Sequence, residues 1–588
     1  MKPKYMILAA CMASVMAACS DDFLENIPQG SLNDGTMDSK EGMELLVNAA
    51  YAALGGPEGQ DWSVWCHPTS NWTYGEVRSD NAYKGGGGVG DLIEVHRMEI
   101  FDVQPNNGFL DSKWYHLYCS VQRCNAAIST ISKYAEGDIR TSRLAELKTL
   151  RAHYYFELSR LFNKVPYYDE NVNVADYPLI PNDRYTRDQI LGMIAQDLMD
   201  AAAQLPESQP EIGRIHKYIA LAYAAKVKLY QAYEQDEQTH RVINVNKQLL
   251  AEVVSLIDQV SAHGYSLLPD FQGLDLIANE NGPESVFAIQ YSMNDGSASA
   301  GRINWSNLLN SPGGNSPYHG DGFFLPSQDL INAYQTDANG LPVFDYQQLE
   351  DFSKVNFVDD NNVTISNATH SVDPRLDFVV GRPTIRWKTF SETPCMSWVR
   401  DRGTYGHNCA KRFWVSPESG DMYAGWPWGA SGLNWQIIRF ADLKLWKAEA
   451  LIEMGTDLET ARQLINDVRR RAKESPYVKD FADPTADAAN YNIGLYPADG
   501  WTQDYARKAL RTEMRLEKAL EGERFFDLVR WGIAAEVMNG YISSERDNHE
   551  YYGQARFVAG RDEYYPIPTN QYNFSGGRYT QNPGYPGF

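Results

Sequence analysis

Blocks of apolar residues recurring every three or four positions constrain this chain more than any other feature. In "LKTLRAHYYFELSRLF", Leu147, Leu150, Tyr154, Leu158 and Leu161 share one face of a helix. Val165 and Pro166 close it, because proline removes a backbone donor and clashes with the preceding turn. The pattern returns through Leu191, Ile194, Leu198, Ala201 and Leu205, and through Ile215, Tyr218, Ile219, Ala222, Leu229 and Tyr230. Far downstream it reappears in Ile437, Ala441, Leu445, Ala448 and Ile452, then in Ala461, Leu464, Ile465 and Val468. One-sided helices joined by short loops bury their apolar faces by pairing, and the pairs by stacking on their neighbours. The expected fold is therefore mostly α, a tetratricopeptide-like scaffold of helical pairs over about 106–262 and 437–540.

Two stretches break the helical rhythm, about 60–105 and 264–436. They are rich in Gly, Pro, Asn and Asp, with short strand-like pieces such as "SVFAIQY", and they hold Trp62, Trp65, Trp72, Trp305, Trp387, Trp398, Trp414, Trp426, Trp428 and Trp435, ten of the fourteen tryptophans. Loops carried on a rigid scaffold are where binding residues concentrate. Most of these rings are expected to fill core under long loops, and three or four to meet a ligand, since a flat ring suits the apolar face of a sugar. From "SNWTYGEVRSDNAYKGG" the expected site residues are Trp72 and Tyr83 as platforms with Arg78 and Asn81 as donors. The second stretch offers Trp305 and Tyr318, and Trp426 beside Trp428 in "GWPWGASG", where Pro427 stiffens the backbone between the rings. Trp114, Trp446 and Trp531 lie in helical sequence and are expected in the core.

Several chemistries are excluded or disfavoured. Lys plus Arg is 53 against 76 Asp plus Glu, a net charge of -23 that repels phosphate backbones, so nucleic acid is not an expected partner. "GGGGVG" has the G-x-G-x-x-G spacing, but it follows polar sequence and opens no amphipathic helix, so the dinucleotide reading lacks its context. Asp359 to Asn362, "DDNN", lacks the full run of oxygen ligands of a calcium loop. No metal site, cofactor or catalytic group is expected. Glu513, Glu517 and Glu521 lie one turn apart among Arg511, Arg515, Arg524 and Arg530, a pattern that suits a structural ion network better than a general acid, because nearby positive charge lowers a carboxylate pKa. Cys66, Cys119, Cys124, Cys395 and Cys409 form no CxxC pair and no disulfide framework, though one pair could be oxidised.

The N-terminus reads as an export signal. Lys2 and Lys4 precede an apolar run, Tyr5 to Ala18, shorter than the about 20 residues a spanning helix needs. "LAAC" at Leu8 to Cys11 and "MAAC" at Met16 to Cys19 both resemble a lipoprotein cleavage motif. Cys19 is the expected lipid anchor, because cleavage before Cys11 would leave too short an apolar region and a mature chain beginning with another apolar run. The expected order is a signal peptide at 1–18, a lipidated tether at 19–35 and one domain at 36–588.

Taken together, these motifs resemble the SusD/RagB family of outer-membrane nutrient-binding lipoproteins. The likeness runs through "WYHLYCSVQRCNAAISTI", "LRAHYYFELSRLFNKVPYY", "DLMDAAAQLP" and "GRIHKYIALAYAAKVKLY", then "DPRLD" at Asp373 to Asp377, "IIRFADLKLWKAEALIE", "INDVRRRA", "EGERFFDLVRWG", "YYPIPTNQ" and "QNPGY". That resemblance implies a helical scaffold with a loop-rich ligand face, held by lipid on the cell surface, which passes glycans, or in some members peptides, to a SusC-like TonB-dependent transporter. Asp21 and Asp22 after Cys19 resemble the family's acidic surface-export signal. The motifs themselves are structural, so the site residues above rest on aromatic content alone. The rival expectation is a helical-barrel glycoside hydrolase, which would need two unpaired carboxylates in the Trp-rich loops, such as Asp321 and Glu418, about 5 to 9.5 Å apart.

Overall fold

The computed structural model describes residues 39–56, 64–134, 137–296, 302–359, 362–365, 369–392 and 396–587. The signal segment, Cys11, Cys19, the acidic pair, Trp62 and Cys395 lie outside the described residues. Among the described residues, six helices of more than twelve residues come first: α1 (Lys40–Ala52), α2 (Gly108–Ile131), α3 (Asp138–Phe162), α4 (Arg187–Gln204), α5 (Lys217–Ala232) and α6 (Lys247–Ser261). Three more follow the long irregular stretch: α7 (Phe440–Met454), α8 (Leu458–Glu474) and α9 (Gln503–Glu517). Their ends carry the expected signals. The Asn107 side chain accepts from Phe109 N and Leu110 N at the start of α2, and Thr186 with Gln189 forms a capping box on α4. Among the described residues no helix is long and apolar enough to cross a membrane.

From α2 to α6 each helix packs on the next, and α7 resumes the stack directly on α6. The apolar positions read from the sequence face inward: Leu147, Leu150, Leu158, Leu161, Ile194, Leu198, Ala441, Leu445, Ala448 and Ile465 are all fully buried. Trp114, Trp446 and Trp531 are core as expected, none more than 5% exposed. The central helix α3 goes further, burying Arg151, Glu157, Ser159 and Arg160 as well as its apolar stripe.

The stretch between α6 and α7 is thus an excursion from a continuous stack. A small antiparallel sheet closes its base, with β2 (Ser285–Ile289) paired to β4 (Trp435–Arg439) in the register Trp435 opposite Ile289 and Arg439 opposite Ser285. β1 (Ala82–Gly85) pairs in the same sense with β3 (Phe323–Pro326), tying the first irregular stretch to the second. The glycine run after β1 has a structural use. Lys84 is fully buried, and its ammonium donates to the carbonyls of Gly85 and Gly88, at 3.0 and 2.8 Å, and to that of Asp91, so the loop folds around the charge. Asp359 and Asn362 end two paired strands of a hairpin, and residues 360–361 lie outside the described residues.

A buried ion network fastens the excursion to the stack. Arg375 donates to Asp373 through Nε (3.0 Å) and Nη2 (2.7 Å), and through Nη1 to Glu513 (2.6 Å) and Glu517 (3.2 Å). Arg469 reaches the other Glu513 oxygen at 2.9 Å, Arg439 joins Glu517 (2.7 Å) to Glu284 (3.0 Å), and Arg471 bonds both of those acids. Arg412 bridges Asp275 and Glu521, each at 3.1 Å. Glu513, Glu517 and Glu521 are therefore structural, but the arginines near them in sequence are not their partners. Arg515 binds Asp80 and Asp329, Arg524 binds Asp80, Arg530 binds Glu449, and Arg511 lies over the ring of Trp531. Glu513, Glu517 and Glu521 instead meet guanidinium groups from the excursion, β4 and α8.

Candidate ligand-binding face

The structure divides the eight expected ligand residues sharply by exposure. Trp72, Arg78, Asn81, Tyr83 and Tyr318 are each no more than 2% exposed and offer no surface to a ligand. Trp72 packs against Phe323 and Phe324 of β3, with ring centroids 6.3 and 5.7 Å away. Arg78 sits among the rings of Phe101, Phe525 and Tyr565 and donates to the Asp562 carbonyl at 2.9 Å. Asn81 donates to Glu76 and accepts from Arg515, both at 2.8 Å, while Tyr83 donates to Glu545 at 2.9 Å. Buried polar groups need partners, and this segment supplies them mutually. A mixture of aromatic and polar residues in irregular sequence looks the same whether it meets ligand or closes on itself. The backbone shows the same tightness, since a Cβ on Gly75 would come within 1.9 Å of the Gly522 carbonyl.

Trp426 and Trp428 are the opposite case, 51% and 41% exposed in a fold that buries most of its tryptophans. They crown a tight loop. Met422 and Ser431 pair across its base, Tyr423 N donates to the Ala430 carbonyl at 2.7 Å, and the Trp426–Pro427 peptide is cis. The loop is docked on the segment before β3: Asn304 N donates to the Ser431 carbonyl (2.8 Å) and Ser311 Oγ to the Trp428 carbonyl (2.7 Å). Only glycine fits the next position, because Gly429 has φ +74 and a Cβ there would lie 2.6 Å from Ser311 Cβ.

Two further rings extend the pair into a strip. Half-buried Trp305 meets Trp426 edge-on, 5.7 Å between centroids at 62°, and exposed His319 meets Trp428 at 6.2 Å and 76°. His319 escapes the sequence reading, although "PYHGDG" places an aromatic ring among turn residues there. Tyr318 does belong to this region, but beneath it. Its hydroxyl donates to the Val415 carbonyl (2.7 Å) and accepts from Trp387 (2.8 Å), within a buried cluster of Trp387, Trp398 and Trp414. Tyr318 links this cluster to the tryptophan loop, since a Cβ on Gly429 would lie 3.2 Å from its ring.

Charged groups beside the strip are engaged. Arg400 donates to Asp91 (3.1 Å) and to the Asp321 carbonyl (2.8 Å), bridging the two irregular stretches, and Ser391 donates to Glu418. Burial pushes the Asp321 carboxyl above its ordinary value, against the pull of Arg400. Among the described residues no cluster of His, Cys, Asp or Glu could hold a metal ion.

The structure is thus a helical stack that presents a strip of aromatic rings on docked loops. The chain belongs to the SusD family, whose profile matches residues 283–585; a second profile, described as starch-binding associating with outer membrane, matches residues 22–229. SusD-like protein P2 of Formosa agariphila is 23% identical over 592 residues, covering 99% of this chain and 100% of that protein. SusD-like protein P38 of the same organism is 25% identical over 547 residues, 89% of this chain and 90% of that one. Among solved structures, a laminarin binding SusD-like protein superimposes with a TM-score of 0.63 at 21% identity, covering 93% of this chain and 100% of its own. Surface glycan-binding protein A from Bacteroides thetaiotaomicron in complex with laminarihexaose gives 0.61 at 18% identity, covering 92% and 99%.

Proposed function

We propose that this protein is a non-catalytic, surface-exposed outer-membrane lipoprotein that captures oligo- or polysaccharide on the Trp305–Trp426–Trp428–His319 strip and delivers it to a SusC-like TonB-dependent transporter. The observation that carries the reading is the pair of tryptophans held exposed on a docked loop. Leaving such rings in water costs roughly 25 cal/mol per Å² of apolar surface, which a stacked ligand face recovers. Sugars are neutral and weakly held per contact, so ring stacking with a few polar groups is the economical way to bind them. The glycan-binding names of the fold neighbours point the same way.

The direct test is a binding screen against plant, host and microbial glycans alongside a peptide digest. One or more glycans should bind and be recovered intact by chromatography after incubation with excess protein. Reproducible shortening would favour a glycosidase, and binding confined to peptides would replace the glycan reading.

Anchoring and partnership are tested in the native cell. Cys19→Ala should release the protein into the soluble fraction, whereas Cys11→Ala should leave it membrane-bound and co-extracted with a barrel transporter in mild detergent. The reverse pattern, or a chain that is always recovered alone, counts against this part of the proposal.

A further inference from the structure

A second cavity, about 470 Å³, shares no lining residue with the tryptophan loop and falls within the size range of small-ligand sites. Phe271 stacks on Phe378 behind its inner end, buried rings with centroids 5.7 Å apart, and the more exposed Tyr477 and Leu276 present apolar surface to the space. One side is the 382–389 loop, which carries Arg386, Lys388 and Thr389, and the other is the turn holding Tyr477 and Lys479. That loop is bent in an unusual way. Thr384 and Lys388 both have left-handed backbones, at φ +69 and +47, which is rare for any residue with a side chain and more so for a β-branched one.

Positive charge is incompletely matched around this space. Lys388 Nζ lies 3.2 Å from Asp275, but the same carboxylate also faces Arg412 at 3.1 Å. Among the described residues Lys411 Nζ donates to the carbonyls of Asp377 and Arg386, at 2.6 and 2.7 Å, and burial pushes its pKa down to about 7, a depression that an anion in the cavity would relieve. Arg386 has no carboxylate partner among the described residues, and its guanidinium lies 5.0 Å from the centroid of the Phe481 ring. Lys479 is paired with Asp487, and the wall acid Asp270 accepts from Gln272 N at 2.9 Å. A planar guanidinium stacked on a ring is pre-organised for a two-point bond to an oxyanion. The Tyr477 ring and the Leu276 side chain call for a ligand with an apolar face as well, which inorganic anions lack.

We propose that this cavity is a second binding site, for a sugar unit carrying an anionic group, a carboxylate or a sulfate ester, with Arg386 holding the anion and Tyr477 and Leu276 facing the ring. Thr389 and Ser416, bonded to each other at 2.8 Å, place hydroxyls at its rim for the sugar's own.

The test is titration calorimetry of the folded mature chain with oligogalacturonate, a sulfated oligosaccharide and a neutral malto-oligosaccharide of equal length. One or both anionic probes should bind, and whichever binds identifies the source of the charge. Arg386→Gln should weaken that binding at least about tenfold, with unchanged circular dichroism. The double variant Trp426→Ala/Trp428→Ala should retain it, which separates this site from the strip. The proposal is overturned if neither anionic probe binds, if the neutral probe binds as well and Arg386→Gln changes nothing, if the tryptophan variant abolishes binding, or if an acidic peptide displaces the sugar.

Discussion

Arg375→Ala is expected to destabilise the fold by about 3–5 kcal/mol, because it leaves buried carboxylates without their counter-charge. Arg375, Asp373, Glu513 and Glu517 have no exposed side-chain surface, so water cannot replace the lost guanidinium. The damage should also be positional: Asp373 belongs to the excursion, whereas Glu513 and Glu517 belong to α9, so the variant should loosen the loops of the excursion before the helices. Chemical denaturation followed by circular dichroism and by tryptophan fluorescence would separate the two. Arg470→Ala makes the control, since its pair with Asp467 is 46% and 35% exposed and is expected to contribute less than about 1 kcal/mol.

The same network predicts an acid limit. Burial alone would raise the Glu517 carboxyl, but Arg471, Arg439 and Arg375 outweigh it and hold the pKa down to about 2. A carboxylate depressed in the folded state contributes stability that is fully present above its ordinary value of 4.5 and is lost as pH falls from there toward 2, roughly 3 kcal/mol in all. Wild-type stability should therefore fall on acidification through that window, while Arg375→Ala should fall less steeply, its carboxylates having been relieved by protonation. Equal slopes for the two proteins, or an Arg375→Ala variant as stable as wild type, would remove the network from the account of the fold.

What the sequence made legible follows from the range over which each signal acts. The faces of α3, α4, α7 and α8 were readable because helical periodicity is local. The ion network was not: Arg375 meets Glu513 across 138 positions and Arg439 meets Glu517 across 78, so the nearby Arg511, Arg515, Arg524 and Arg530 were the natural but mistaken partners. At the tryptophan loop, the exposure of Trp426 and Trp428 was legible because Gly425, Pro427 and Gly429 beside them offer little side chain to cover the rings. Trp72, Arg78, Asn81 and Tyr83 were misread because their partners, Phe324, Asp562, Arg515 and Glu545, arrive from hundreds of residues away.

That division by burial sets the second large effect. Trp426→Ala and Trp428→Ala should each weaken glycan binding by at least about tenfold, roughly 1.4 kcal/mol, with little change in stability, because each ring already stands 51% or 41% in water. Trp305→Ala should act on both quantities, since its half-buried ring supports Trp426 edge-on as well as lining the strip. Trp446→Ala, in the core of α7, should cost about 3–5 kcal/mol of stability and leave the affinity of the remaining folded protein unchanged. Trp72→Ala should behave like Trp446→Ala rather than like Trp426→Ala, although it stands in loop sequence. Titrating each variant with a glycan drawn from the binding screen, beside a denaturation curve, resolves the five. Unchanged affinity in both Trp426→Ala and Trp428→Ala with the fold intact would move the ligand off this strip, whatever family the chain belongs to.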